Sequence, residues 1–123
     1  MNNFTELLEK DKLKQCPRRY ILALSDALNV VNGKWKLPIV ASLLHGNRRF
    51  KDLQQSIEKI TPRMLSKELK ELEINGIIER KVYDHTPVLI EYHLTESGQS
   101  ITSVIDAMID WGLTHRNQVM KVE

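Results

Sequence analysis

Residues 61–76 read Thr61-Pro62-Arg63-Met64-Leu65-Ser66-Lys67-Glu68-Leu69-Lys70-Glu71-Leu72-Glu73-Ile74-Asn75-Gly76, one helix with two chemically different faces. The ends are written in the chain. Thr61 can accept a hydrogen bond from a first-turn N–H, and Pro62 at the first helical position gives up only an N–H that has no helical partner there. Asn75-Gly76 closes the helix, because both residues tolerate the left-handed conformation. Leu65, Leu69 and Leu72 follow the i, i+4, i+7 spacing of a buried stripe, while Arg63, Ser66, Lys67 and Lys70 fall on another face. A helix about 10–12 Å across fits the major groove of B-DNA, about 12 Å wide, so the segment reads as a recognition helix. A solvated amphipathic surface helix is the plainer alternative.

Upstream, Lys51 to Ile57 places Leu53 and Ile57 on one face of a short helix, and only Glu58 to Ile60 separates it from Thr61. Two short helices joined so tightly form a helix-turn-helix. Downstream the period changes from 3.6 to 2. Ile78 and Val82, then Val88, Ile90, Tyr92 and Leu94, alternate as in strands over Ile77 to Val82 and Val88 to Leu94, with Asp84-His85-Thr86-Pro87 as the turn. A hairpin directly after the recognition helix is the layout of a winged helix. Thr95-Glu96-Ser97-Gly98 leads into a last helix whose Ile101, Val104, Ile105, Met108 and Leu113 form an apolar stripe.

Toward the N-terminus, Phe4, Leu7 and Leu8 sit at helical spacing between Asn3 and Lys14, and Cys16-Pro17 reads as a break. Tyr20 to Val31 follows, with Ile21, Leu24, Leu28 and Val31 on a stripe expected to be buried and Asn32-Gly33 as its end. Trp35, Ile39, Leu43 and Leu44 form another apolar face up to the turn at His45-Gly46-Asn47. Pro38 requires that helix to begin late or to kink, and Arg48-Arg49-Phe50 is short enough to be a bridging strand.

The length fits one domain and the pattern of helices and hairpin makes it α+β over 1–123, with a helical extension about 1–31, a core about 32–96 and a last helix about 98–119. The formal charge of +2, from 18 basic and 16 acidic residues, is too weak to argue nucleic-acid binding by itself, so the case rests on distribution. Lys10, Lys12, Lys14, Arg18 and Arg19 form one basic cluster and Arg48, Arg49 and Lys51 another, while Asp106 and Asp110 mark an acidic late helix. The single cysteine excludes an intrachain disulfide and a thiolate zinc cage, and suggests a reducing, cytoplasmic setting. No apolar run is long enough to span a bilayer, so no membrane partner is expected. His45, His85, His93 and His115 lack metal-ligand spacing. With no Gly-rich phosphate loop, nucleophile elbow or carboxylate pair in a site, neither metal, cofactor nor catalytic residues are expected.

These residues together resemble the HxlR-type winged helix-turn-helix regulators, related to the MarR-like regulators. The likeness spans about 32–112. It rests on Gly33-Lys34-Trp35, on Leu44-His45-Gly46 with Arg48-Arg49-Phe50, on Ile60 to Ser66 and Leu69 to Glu73, on Asn75-Gly76-Ile77-Ile78, and on Trp111-Gly112. The resemblance implies a homodimeric DNA-binding transcription regulator whose recognition helix begins at Thr61-Pro62-Arg63 and whose terminal helices form the dimer interface. It also implies a Cys-Pro pair near the N-terminus that in some members senses oxidants or electrophiles. Here Cys16-Pro17 lies further than usual from Gly33-Lys34-Trp35, with the helical stretch 20–31 between them.

The candidate DNA contacts are accordingly Thr61, Arg63, Ser66, Lys67 and Lys70 on the helix, Arg48 and Arg49 before it, and Lys81, His85 and Thr86 on the wing. Arg63 can reach guanine O6 and N7 or a phosphate. An ion pair with Glu73 or Glu71 competes for Lys70, a plain turn explains His85 and Thr86, and the arginines can instead brace the fold through carbonyls ahead of Phe50. Leu7, Leu8, Ile101, Val104, Ile105, Met108 and Trp111 are the candidate dimer contacts, and Cys16, beside Lys14, Arg18 and Arg19, is the candidate redox sensor for a small electrophile or another effector. The reading is a repressor that binds a palindromic double-stranded operator as a homodimer. Its rival is a winged-helix module that binds protein through the same face.

Overall fold

The computed structural model describes residues 17–122. The expected helix between Asn3 and Lys14, with Leu7 and Leu8, and the thiol of Cys16 lie outside the described residues. Contacts divide the chain after Asn32. In the first unit, α1 spans Pro17–Val30. It starts at a proline, which suits the first helical turn. Its stripe of Ile21, Leu24 and Leu28 is exposed, at 60, 62 and 58 % of full accessibility. Among the described residues the expected one-sided burial of this stripe is therefore not found. Periodicity marks a face that calls for cover, and it does not say which chain supplies the cover.

The second unit holds α2 (Lys36–His45), α3 (Phe50–Ser56), α4 (Pro62–Ile74), β1 (Ile78–Tyr83), β2 (Leu89–Leu94), α5 (Glu96–Ser100) and α6 (Thr102–Val122). Pro38 lies in the first turn of α2, where no intrahelical bond needs its N–H, so that helix begins late and Pro38 costs it no bond. Gly46, at φ 116°, ends α2: its N–H donates to Leu43 O and the Asn47 N–H donates to Ser42 O. Ile39, Val40 and Leu43 are fully buried, whereas Leu44, expected on the same face, is exposed.

Arg48-Arg49-Phe50 is not a strand. Phe50 opens α3, and the bridging role reduces to one backbone bond, from the Tyr92 N–H to Arg48 O at 2.7 Å. Leu53 and Ile57 of the α3 segment and Ile60 in the turn are buried, and Lys59 makes the turn with φ 70°. A directed chain of hydrogen bonds joins α2 to α3. Ser56 Oγ donates to Leu53 O, so the single hydroxyl proton of Ser42 points to Ser56 Oγ, and Ser42 in turn accepts from Asn47 Nδ2.

α4 matches its expected limits. Thr61 Oγ1 accepts from the Met64 N–H at 3.2 Å, and Leu65, Leu69 and Leu72 are buried. At the far end only Gly76 is left-handed, at φ 74°; Asn75 stays at φ −82° and its side-chain amide donates to Glu71 O instead.

The hairpin pairs Ile78 with Leu94 through to Tyr83 with Leu89, antiparallel. On β1 only the base reaches the core, whereas β2 is half-buried from Leu89 to Leu94. Ile78 is buried, but Val82 and Val88 are exposed, because the outer hairpin projects past the helices and their alternation has no surface to pack on.

The expected single last helix is two, α5 and α6, meeting at Ile101. A knot of hydrogen bonds fixes where α5 starts. Thr95 caps α5 by accepting the Gly98 N–H, its hydroxyl lies 2.6 Å from Gly76 O, and its N–H donates to Ile77 O at 3.0 Å. Gly98 passes so close that a Cβ there would sit 2.1 Å from Ile77 O. α6 then rests Ile105 in the core. Among the described residues, no helix is long and apolar enough to cross a membrane.

Candidate nucleic-acid interface

The outer face of α4 carries Arg63, Ser66, Lys67 and Lys70, all exposed, directly opposite the buried Leu65, Leu69 and Leu72. The core side fixes the helix and the other side presents three cations to solvent. Among the described residues no carboxylate lies in ion-pair range of Lys70, so the pairing with Glu73 or Glu71 weighed against its candidacy does not form. Thr61 is exposed at the head of the same helix, its hydroxyl used as the cap. Ser66, Lys70 and Glu73 line a cleft of about 350 Å³ against Arg80 and Tyr92 of the hairpin.

A second group gathers at the wing. Arg49 shares a hollow of about 300 Å³ with His85, Thr86 and the residues that follow, all at the same end of the hairpin. His85 lies with its ring 6.2 Å from that of Tyr83. Lys81 is exposed on β1 and pairs with Glu79 at 3.2 Å, a surface pair of small energetic weight. Arg48 faces inward. Its Nη1 donates to Leu43 O at 2.7 Å and to Asn47 O at 3.4 Å, bracing the end of α2, so the two neighbouring arginines are set to different tasks. On β2, His93 Nε2 donates to Glu91 Oε1 at 3.0 Å; that bond holds the Glu91 carboxyl below the usual carboxylate range, with Tyr83 and Arg49 adding to it.

The residue that sequence reasoning missed is Lys36. It is buried, and its Nζ lies 2.7 Å from Glu68 Oε2 and 2.5 Å from Glu71 Oε2, joining α2 to α4. Burial opposes its charge, but the hydrogen bonds to Glu68 and Glu71 outweigh that and hold its pKa above the ordinary value. Glu71 is held below its ordinary value, chiefly by the bond from Lys36. In the sequence, Lys36 is a lysine in the first turn of an apolar helix, and nothing in the spacing links it to residues more than thirty positions away.

The candidate dimer residues divide as well. Ile105 is buried in the chain's own core and Ile101 is half-buried, while Val104, Met108 and Trp111 are exposed by half or more. Trp111 stacks on His115 with ring centroids 4.8 Å apart; it is not a buried structural tryptophan. Met108 and Ile109 also border an apolar groove of about 270 Å³ against Leu37, Pro38 and Ala41 of α2. Among the described residues, no cluster of three or more His, Cys, Asp or Glu side chains is placed to hold a metal ion.

The family model described as HxlR-like helix-turn-helix matches residues 30–120. The HTH-type transcriptional regulator YtcD of Bacillus subtilis (strain 168) is 38% identical over 102 residues, covering 83% of this chain and 81% of that protein. An HTH-type transcriptional regulator of Methanothermobacter thermautotrophicus is 42% identical over 93 residues, covering 76% of this chain and 71% of that one. Among solved structures, the redox regulator HypR in its reduced form superposes with a TM-score of 0.74 at 34% identity, covering 80% of this chain and 98% of that one.

Proposed function

The chain belongs to the HxlR-like helix-turn-helix family of DNA-binding transcriptional regulators, and we propose that it represses transcription by binding a roughly palindromic operator as a homodimer. The observation that carries this reading is the exposed row of Arg63, Ser66, Lys67 and Lys70 on a helix whose opposite face is locked into the core. Lodged in the major groove, Arg63 and Ser66 in the first turns read base edges, while Lys67 and Lys70 meet phosphate. Arg49, His85, Thr86 and Lys81 meet the flanking backbone from the wing, and Arg48 acts mainly as a brace. The core of about 32–96 thus binds DNA.

Dimerisation is supported by apolar surface that the chain leaves uncovered on α6, at Val104, Met108 and Trp111. A twofold would set two recognition helices about one helical turn, ~34–36 Å, apart, which matches a palindrome. The effector is read as a small oxidant or electrophile sensed by Cys16 in the cytoplasm. Cys16 lies outside the matched segment 30–120, and its support is the row of cations beside it in the sequence and the likeness to the redox regulator HypR.

The test begins with selection of bound sequences from a random duplex pool, which should return an inverted repeat. Against that repeat, Arg63→Ala with Lys67→Ala should weaken binding at least about tenfold, since a base-reading arginine alone is worth ~1–3 kcal/mol. Equal affinity for wild type and double variant would remove α4 from the interface. A salt-insensitive affinity would instead favour a protein-binding module.

A further inference from the structure

By formal charge α4 is neutral, with Arg63, Lys67 and Lys70 set against Glu68, Glu71 and Glu73. A helix neutral in itself gains little from a phosphate backbone unless its carboxylates are kept out of the way. At about 100° per residue, Glu68 and Glu71 fall on the flank between the leucine face and the cationic row. Glu71 stands four positions after Lys67, the spacing at which a lysine and a glutamate pair along a helix. Among the described residues that ion pair does not close, although the Lys67 charge still helps to hold Glu71 below its ordinary value. Glu71 is taken by Lys36 at 2.5 Å and Glu68 by the same ammonium at 2.7 Å, and among the described residues Lys67 is in no ion pair.

Stability alone is a weak reason for such an arrangement. The Lys36 ammonium is buried and Glu68 mostly covered, while Glu71 keeps 40 % of its side chain exposed, so desolvation of the ammonium offsets much of the attraction and the exposed half of the cluster adds little. We propose that Lys36 is a positioning residue of the DNA interface: by holding Glu68 and Glu71 on the inner flank of α4, it keeps Lys67 unpaired and available to a phosphate. Without it, Glu71 turns to Lys67 and two carboxylates stand beside the contact row. The inference rests on α4 being the DNA-binding helix.

The test uses the full chain and a 30-bp duplex of random sequence, with affinity measured across a salt series. Lys36→Met should weaken binding about three- to tenfold at low salt and flatten the slope of log K against log salt by about 1, as loss of one phosphate contact does. The triple change Lys36→Met, Glu68→Gln, Glu71→Gln removes the competing carboxylates along with the clamp, and should return both affinity and slope to wild-type values. Thermal melts establish that each variant is folded. If Lys36→Met fails to fold, Lys36→Gln replaces it, with the same expected loss of affinity and slope and the same rescue by Glu68→Gln, Glu71→Gln. Wild-type affinity and slope in a folded Lys36→Met, or a folded triple variant that stays weak, overturns the proposal. Arg63→Ala with Lys67→Ala runs alongside: if that pair leaves binding unchanged, the placing of α4 on DNA has failed; if it weakens binding while Lys36→Met does not, only the role given to Lys36 has failed.

Discussion

Gly98→Ala is a substitution for which two physical arguments give opposite signs. Gly98 lies within α5, and helix propensity alone favours alanine there by about 0.8–1 kcal/mol. The surroundings reverse this. The added Cβ would sit 2.1 Å from Ile77 O and 3.0 Å from Leu94 Cδ2. An ordinary carbon–oxygen contact is about 3.3 Å, so helix and carbonyl must part by roughly 1 Å. The carbonyl cannot yield freely, since Ile77 O accepts the Thr95 N–H and the adjoining Gly76 O lies against the Thr95 hydroxyl. Two hydrogen bonds weakened at about 1 kcal/mol each, with about 1–3 kcal/mol of overpacking and the propensity gain set against them, leave a net loss of about 2–4 kcal/mol. For a domain of this size, at about 4 °C per kcal/mol, Tm should fall by about 8–16 °C. Thermal unfolding followed by circular dichroism, at one fixed protein concentration for both proteins, reads this directly. A Tm equal to or above that of the wild type would refute the reasoning, because propensity would then outweigh the close approach.

Three further expectations follow from other residues. Lys59 holds φ 70° in the turn before α4, so Lys59→Gly should raise stability by about 0.5–1 kcal/mol in denaturant titrations and Lys59→Val should lower it. The Lys36 clamp also sets a pH window. Glu71, depressed in the folded state, contributes stability above its ordinary value near 4.5 that is lost as pH falls; Lys36, raised, contributes stability below 10.5 that is lost as pH rises. The stability difference between wild type and Lys36→Met should therefore be level across neutral pH and shrink at both extremes, and a difference that changes near pH 7 would contradict the assignment. Diamide should release DNA from the wild type and not from Cys16→Ser; equal responses would leave Cys16 without a sensing role.

Where a residue's fate depends on near neighbours in the chain, the sequence was a sound guide. Leu65, Leu69 and Leu72 had to face inward because their spacing closes on one side of a helix that Thr61-Pro62 starts and Gly76 stops, and that row fixes where Arg63, Ser66, Lys67 and Lys70 point. Fates settled by distant contacts were not legible. Lys36 meets Glu68 and Glu71 only after two helices pack, and Val82 alternates correctly yet finds no surface to cover it. Arg48 and Arg49 are adjacent and chemically identical; the exposed end of α2 claims one for its carbonyls and leaves the other at the wing. Gly98 showed itself as a helix-start glycine, while the carbonyl that penalises a side chain there comes from before the hairpin.

The knot around Thr95 also has a consequence for how this fold can be varied. Gly76, Ile77, Thr95 and Gly98 hold one another through backbone atoms and a single hydroxyl, so the two points where the hairpin leaves and rejoins the body are fixed irrespective of what lies between them. Beyond those points the strands are hydrogen-bonded to each other and, through the Tyr92 N–H, to Arg48 O, while β2 also stays half-buried against the helices. The exposed tip, residues 84–88, is therefore the part most open to replacement. A tip of another length or charge, grafted between Tyr83 and Leu89, would inherit the same anchorage and change the reach of the wing while leaving Arg80 and Tyr92 beside the helix.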